Sequence, residues 1–333
     1  MLSRTALILG GTGQIGRAAA TLLAGQGWRV TIAQRHDAPA PLGGSSLVMD
    51  RDEPGAVARA VGKGVDALID TVAYDAGHAR QLLQVQDRVG AFVVVSSASV
   101  YRDDLGRTLD EARETGAPVF PVPIAEDQPT VAPGPATYST RKIALESALR
   151  DGARRPVTIL RPGAIHGPGS SHPREWFFIK RLLDERAAVP LAWDGASRFH
   201  TTATANIAAL ISVVLDNPGT EVLNVADPEA LTVSQIGKAI SAAYGKDLRL
   251  VPFSGPPTRA VGGHPWCIAN PIVLDTRRAA ALGFASVTSY AAAMAQTCRS
   301  IESVMAAGTV VPAYLLSLFD YAAEDAWMAE RNL

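Results

Sequence analysis

The sequence has little of what marks several functional classes. It carries only two cysteines, Cys267 and Cys298, in 333 residues. They fit no metal-ligand spacing and are too few for a disulfide framework, so a reducing, cytoplasmic setting is expected. Lysine is scarce at five residues, positive charge is almost all arginine, and the net charge is −1. Nothing there forms an electrostatic footprint for nucleic acid or an anionic membrane. No apolar run approaches the ~20 residues that span a bilayer. The first apolar segment is broken by glycines with no small-residue cleavage site behind it, so it does not read as a signal peptide. Val310 to Phe319 is about half a span long and holds Pro312; it reads as a core helix. The histidines (His36, His78, His166, His172, His200 and His264) show no metal spacing with another His, Cys or carboxylate, and no metal is expected. Repeats and low-complexity segments are also missing. The composition, 47% hydrophobic and 19% charged, is that of one large or two modest globular domains.

What is present begins at Thr5. Ala6-Leu7-Ile8-Leu9 is a short apolar run, Gly10, Gly13 and Gly16 follow at every third position, and Arg17 to Leu23 has helical composition. A buried strand, a glycine turn and a helix start form the phosphate-binding device of dinucleotide folds. The first glycine permits the tight turn, the second admits a pyrophosphate to the backbone, and the third lets helix and strand pack closely. The free amides at the helix start hold the phosphates. Gln14 and Ile15, between the glycines, are expected cofactor contacts along with Gly10, Gly13 and Gly16.

Trp28 to Ala33 reads as the second strand, and the residues after such a strand select the cofactor. An acid there would bond a ribose 2′-hydroxyl, whereas arginine suits a 2′-phosphate. Here Gln34-Arg35-His36 precedes any carboxylate, so Arg35 favours NADP, with NAD also possible. Ser46 to Met49 is a third strand ending at Asp50, a candidate partner for an adenine amine. Pro54 to Val61 reads as a helix, Val65 to Ile69 as a strand, Ala76 to Arg88 as an amphipathic helix, and Ala91 to Val95 as an apolar strand. This alternation implies a Rossmann-type, doubly wound parallel sheet of the α/β class, with ligands gathered beyond the carboxyl ends of the strands. Ser96-Ser97-Ala98-Ser99-Val100-Tyr101 lies at such an end. Gly106 to Pro135 reads as a long surface connection, a candidate flap.

Tyr138 to Arg150 reads as a helix in which Tyr138 and Lys142 share a face. With seven tyrosines and five lysines in the chain, that spacing is expected only about 0.1 times by chance. Val157 to Leu160 is a further strand, ending in Arg161-Pro162-Gly163. Beyond it lie expected helices at Glu175 to Glu185, Asn206 to Leu215 and Val233 to Tyr244, and strands at Val189 to Trp193 and Glu221 to Val225. These features suggest a dinucleotide-binding domain over residues 1–165, with 204–226 returning to it. A smaller, discontinuous substrate domain would then comprise residues 166–203 and 227–333.

Gly10-x-x-Gly13-x-x-Gly16, Ser97, Tyr138-x-x-x-Lys142, and Arg161-Pro162 with Gly167-Pro168-Gly169 together resemble the extended short-chain dehydrogenase/reductases, the NAD-dependent epimerase/dehydratases. The resemblance covers about residues 5–290 and leaves out the tail from about Arg299. It implies that Tyr138 is the general acid/base, that Lys142 stabilises its phenolate and bonds the nicotinamide ribose, and that Ser97 orients the substrate oxygen. A phenol near pKa 10 needs such help at neutral pH. The family also typically forms homodimers through a helix bundle.

Departures from the family pattern bear on substrate. Ala98-Ser99 replace the Asp-Glu that dehydratases carry after the catalytic Ser/Thr, which disfavours dehydration. Ala164 replaces the Asn that grips a nucleotide-sugar diphosphate. Arg198 matches the diphosphate arginine, but Phe199 follows it instead of Asp. Ser99, His166 and Arg198 are the candidate substrate contacts. The expected activity is hydride transfer at a secondary alcohol or ketone of a small hydroxylated molecule. The alternatives are a nucleotide-sugar epimerase and a non-catalytic NADP-sensing protein.

Overall fold

A computed structural model describes residues 3–258, 260–308 and 311–333. The chain opens with β1 (Thr5–Leu9), α1 (Gln14–Gly25), β2 (Arg29–Gln34), β3 (Ser45–Val48), α2 (Ala56–Val61), β4 (Val65–Asp70), α3 (Ala76–Gln84) and β5 (Val89–Val95). The one-turn α4 (Ala112–Thr115), then α5 (Tyr138–Gly152), β6 (Val157–Pro162), β7 (Ala164–His166), α6 (Trp176–Leu183), β8 (Ala188–Leu191) and β9 (Thr201–Ala203) follow. The rest comprises α7 (Thr204–Asp216), β10 (Glu221–Val225), α8 (Val233–Ala243), β11 (Arg249–Pro252), α9 (Arg277–Ala281), α10 (Tyr290–Ala306), α11 (Ala313–Leu316) and α12 (Tyr321–Ala329).

Two compact units result. The first holds the chain up to Gly163 with Thr204–Ala226 and Leu274–Val287; the second holds Ala164–Ala203, Asp227–Val273 and Thr288–Leu333. Leu274–Val287, assigned from sequence to the second domain, belongs to the first unit. Long-range hydrogen bonds draw it there: the Asp275 amide donates to Ile124 O at 2.8 Å, and Asn224 Nδ2 donates to Asp275 O at 3.1 Å.

The first unit is a seven-stranded sheet in the order β10-β6-β5-β4-β1-β2-β3, every neighbouring pair parallel. Its central strands are apolar throughout because helices cover both faces. Residues Ala6 to Leu9 are no more than 2% exposed, and Ala91 to Val95 no more than 4%. The chain runs outward from β1 to β3 and then crosses back to β4, so the strand order reverses between β1 and β4. Leu9 is in register with both Ala33 and Asp70, which brings the turns after these strands to one edge of the sheet. That reversal point is where open α/β sheets bind ligands.

α5 starts where Thr137 caps it: the Thr137 side chain accepts from the Thr140 amide and the Thr140 hydroxyl reciprocates. This cap makes Tyr138 the first helical residue. The 106–135 connection is surface-like only in part. Asp103 gathers the amides of Leu105, Arg107 and Val119 at 2.8 to 3.0 Å. Phe120 and Ile124 are buried, so this stretch is pinned and does not form a free flap.

The second unit pairs β7 with β9 and β8 with β11, both parallel. Helices α6, α8 and α10 supply its core, with Phe177, Phe178, Ile236, Trp266 and Met294 at its centre. The tail beyond Arg299 is part of this unit. Arg181 on α6 is fully buried; its guanidinium carbon lies 3.8 Å from the Phe177 ring centroid, and Nη2 donates to Glu324 Oε1 of α12 at 2.5 Å. The helix expected over Val310 to Phe319 is instead the single turn α11, with Leu315 fully buried; Val310 lies outside the described residues.

Candidate active site

The glycine turn has the geometry a dinucleotide needs. Gly10 sits at φ +80°, and a Cβ there would meet Val72 Cγ1 at 2.5 Å. A Cβ on Gly16 would stand 2.3 Å from the Gly10 carbonyl oxygen, so only hydrogen fits between α1 and the turn. Gly13 is the exposed N-cap of α1. Among the described residues no side chain caps the helix, and no acid occupies its first turn, which leaves the first-turn amides and the positive dipole end to a ligand.

A cavity of about 360 Å³ opens at these residues, lined by Gly10, Thr12, Gly13, Arg35, Asp50 and Arg51 among others. It brings together four of the predicted cofactor residues: Gly10, Gly13, Arg35 and Asp50. Arg35 and Asp50 are exposed in its wall, Ile15 is buried, and Gln14 is half-buried. Ile15, a predicted cofactor contact, packs into the core of α1, so only its amide is offered to a ligand. Arg51 is a wall residue that sequence reading missed, and Asp70 holds it from behind the wall. Asp70 ends β4 fully buried, and Arg51 Nη1 donates to its carboxylate at 2.8 and 3.0 Å. Gln81 Oε1 accepts from Arg51 Nη2 at 3.0 Å and holds the guanidinium in place. The position of Asp70 at a strand end was the available signal; its pairing with Arg51 has none in the sequence.

Farther along the same strand edge stand Ser97, Tyr138 and Lys142. Ser97 is the second residue past β5, and its hydroxyl accepts from the Ser99 amide at 3.1 Å. Tyr138, 41% exposed, opens α5. Lys142 is buried one turn later, with Nζ 5.6 Å from the Tyr138 ring centroid. Its ammonium donates to Ala73 O at 2.6 Å and Val95 O at 3.0 Å. Two of its three hydrogens are thus committed and one remains for a ligand hydroxyl. Burial pushes the Lys142 pKa down to about 8, against the opposing charges of Asp70 and Glu146. Desolvation raises the Tyr138 phenol above its ordinary value; hydrogen bonding with Ser97 pulls the other way, and Tyr74 and Asp110 add to the rise.

Behind this cluster lies a buried ion pair. Arg161 Nη2 donates to Glu146 Oε2 at 2.6 Å, and Ser96 Oγ donates to Glu146 Oε1 at 2.5 Å. Glu146 is one turn beyond Lys142, so the pair fixes α5 against the ends of β5 and β6. Arg161-Pro162, seen in the sequence only as a motif, thereby acquires a physical role.

The model of the NAD dependent epimerase/dehydratase family matches residues 6–226. The chain belongs to this family. A search of curated proteins gave no match. Among solved structures the chain is similar to the epimerase Mth375 of Methanothermobacter thermautotrophicus, at 15% identity and a TM-score of 0.71, covering 92% of this chain and 94% of that one. It is also similar to a UDP-glucose 4-epimerase of Stenotrophomonas maltophila with bound NAD, at 18% identity and a TM-score of 0.70, with 91% and 99% covered. The Bordetella bronchiseptica enzyme WbmH, solved with NAD+, matches at 17% identity and a TM-score of 0.69, with 90% and 99% covered. At these identities the likeness is one of fold.

Within this family frame, the remaining predicted substrate contacts separate. Ser99 stays in the first unit beside Ser97, 3.0 Å between their Oγ atoms. His166 and Arg198 belong to the second unit. His166 is a correction: its ring is 1% exposed, lies 4.6 Å from the Tyr290 ring, and its Nε2 bonds Asp227 Oδ2 at 2.6 Å. The Thr201 hydroxyl donates to the same carboxylate at 2.7 Å, and the Ala203 amide to its other oxygen at 2.7 Å. Such surroundings hold a structural histidine joining β7 and β9 to the β10–α8 connection. Arg198 is exposed, with its backbone carbonyl accepting from the Ile272 amide at 2.8 Å.

Proposed function

We propose that the protein is an NAD(P)-dependent oxidoreductase of the epimerase/dehydratase type, acting at a secondary alcohol or ketone of a small hydroxylated molecule. The observation that carries this reading is the convergence of Ser97, Tyr138 and Lys142 on the strand edge that also bears the open glycine turn. The cradle fits a dinucleotide: the Gly10 and Gly16 positions exclude a Cβ, and among the described residues no side chain caps the first-turn amides of α1. The first-turn amides of α1 would hold the pyrophosphate, and the free Lys142 hydrogen would bond the nicotinamide ribose. When bound, the nicotinamide accepts or supplies the hydride.

The chain's own residues handle the proton and the position. Tyr138 takes the proton from the substrate hydroxyl, or returns it to the carbonyl, through its phenol oxygen. Ser97 donates a hydrogen bond to the same substrate oxygen and sets its distance from Tyr138. The buried Lys142 ammonium favours the phenolate by its charge, which offsets the desolvation that otherwise keeps the phenol protonated. Arg35, in the cavity wall past β2 with no carboxylate beside it until Asp37, supports a preference for NADP over NAD. Substrate selection we assign to the second unit.

The test is turnover of the Tyr138→Phe variant. A loss of about a hundredfold or more in kcat is expected, with cofactor affinity within a factor of two. Unchanged turnover would remove the mechanism.

A second reading, a nucleotide-sugar epimerase, draws on the exposed Arg198 and on fold relatives described as UDP-sugar epimerases. It predicts interconversion of UDP-glucose and UDP-galactose by the protein with NAD, and calorimetry showing no UDP binding would argue against it. The completeness of the Ser, Tyr and Lys set weighs against a non-catalytic, cofactor-sensing role.

A further inference from the structure

The segment that leaves β4 is tied down residue by residue. The Thr71 hydroxyl donates to Leu9 O at 2.9 Å, and the Val72 amide to Asp70 Oδ1 at 3.0 Å. The Ala73 carbonyl accepts from Lys142 Nζ at 2.6 Å, and the Tyr74 amide donates to His78 Nδ1 at 2.8 Å. The Asp75 side chain caps α3 by accepting from the Gly77 amide at 2.8 Å. The backbone at Tyr74 is therefore fixed, and none of these bonds uses its side chain. That side chain, half-buried, lies against Tyr138: the ring centroids are 5.7 Å apart and the planes 49° apart.

A ring contact matters at Tyr138 because little else holds it. Tyr138 is the first residue of α5 and is 41% exposed. Exposed side chains change rotamer within nanoseconds, whereas proton transfer needs the phenol oxygen within hydrogen-bond reach of the substrate oxygen. Ser97 bonds the hydroxyl end, and the Lys142 ammonium stands 5.6 Å from the ring centroid. Among the described residues, Tyr74 supplies the one aromatic ring beside that of Tyr138. A tilted pair at this separation is favourable, and its worth corresponds to about a two- to tenfold bias toward the paired arrangement. The Tyr74 ring is held in turn by α5. The Arg141 guanidinium carbon lies 5.4 Å from its centroid, and Arg141 Nε donates to Pro135 O at 2.8 Å.

We infer that Tyr74 is a positioning residue whose ring, not its hydroxyl, keeps the Tyr138 phenol beside Ser97 and Lys142. This rests on the reading of Ser97, Tyr138 and Lys142 as a hydride-transfer site. It adds to that site a residue of the β4–α3 connection that no motif singles out.

The experiment needs no substrate. Full-length protein is prepared with 13C-labelled tyrosine rings, and the Tyr138 signals are identified by their loss in Tyr138→Phe. Tyr74→Ala removes the ring but none of the bonds that fix residues 71–75, and the signals of the other five tyrosines report that the fold is kept. The ring order parameter of Tyr138 is expected to fall by about a third in Tyr74→Ala and to keep its wild-type value in Tyr74→Phe. An unchanged value in Tyr74→Ala would overturn the brace. So would an equal fall in Tyr74→Phe, which would give the role to the hydroxyl. A second measurement follows ionisation of the Tyr138 phenol by ultraviolet difference titration, with and without NAD, each variant read against its own Tyr138→Phe counterpart. Asp110, Ser97 and Lys142, which also face the phenol, are the same throughout. The nicotinamide cation should lower the midpoint by about one pH unit in the wild type and in Tyr74→Phe. In Tyr74→Ala the shift should be less than half as large, because a loosely held phenol averages over positions away from the cation. Equal shifts in all three would overturn the brace. No shift in any of them, with NAD bound, would instead sink the hydride-transfer reading and leave the ring order to decide the brace by itself.

Discussion

Replacing Glu146 by Gln tests the ion pair that anchors the catalytic helix. Glu146 and Arg161 have side chains 2% and 4% exposed, and their closest atoms are 2.6 Å apart. Glutamine keeps the shape and can still accept from Ser96, but it removes the countercharge and sets an amide group against the guanidinium. Breaking such a pair from one side leaves a buried charge uncompensated, at about 3–5 kcal/mol. Against a domain stability of roughly 5–15 kcal/mol, that is a large fraction. Urea denaturation followed through a probe in the first unit should therefore show a clear fall in midpoint. Glu146→Gln/Arg161→Met should recover most of it, because no charge is then stranded. Glu146 also supports the Lys142 ammonium, which burial has already pushed down to about 8. Its loss lowers that pKa further, so the ammonium disappears at a lower pH and the alkaline limb of any turnover profile moves down. A single-variant loss under about 1 kcal/mol, the range of exposed pairs, would refute the reasoning.

Other perturbations follow from the same geometry. Gly16→Ala would place a Cβ 2.3 Å from the Gly10 carbonyl; the turn must shift, and NAD or NADPH affinity by fluorescence titration should fall about tenfold or more. Arg35→Ala should weaken NADPH binding while sparing NADH, and equal loss of both would remove the NADP preference. His264 is 4% exposed, neither ring nitrogen has a hydrogen-bond partner among the described residues, and burial pushes its pKa down to about 3. Below its unfolded value near 6.5 the unfolded chain binds a proton that the folded chain refuses, so stability is full above that pH and falls as the pH drops toward 3. His264→Leu should flatten this dependence, by roughly 2 kcal/mol at pH 5; an unchanged acid limb in thermal melts would show that His264 is not its source.

How far the sequence discloses this molecule depends on the range of the interaction. The sheet is legible because its central strands, such as Ala6 to Leu9 and Ala91 to Val95, must be apolar on both faces, and glycine is the only residue that fits at Gly10 and Gly16 in the turn from β1 into α1. Tyr138 and Lys142 are legible for a similar reason: one helical turn fixes their spacing. Long-range pairings leave no such trace. Asp227 lies 61 positions from His166, so a histidine that reads as a pocket residue by its place after Arg161-Pro162 turns out to brace two short strands. The segment Val311 to Phe319 is apolar like a helix, yet helix forms only from Ala313, behind Pro312 at its N-cap, to Leu316, and its burial comes from Leu315 filling a core shared with α6 and α10. Ser139 is the instructive intermediate. Its position beside Tyr138 was visible, but a serine in a helix is ordinary. Its complete burial, with Oγ 2.9 Å from both the carbonyl and the hydroxyl oxygen of Ser99, is a property of the assembled fold. The residues that perform chemistry are thus readable from local spacing, while those that orient them are set by packing that sequence alone does not encode at any fixed distance.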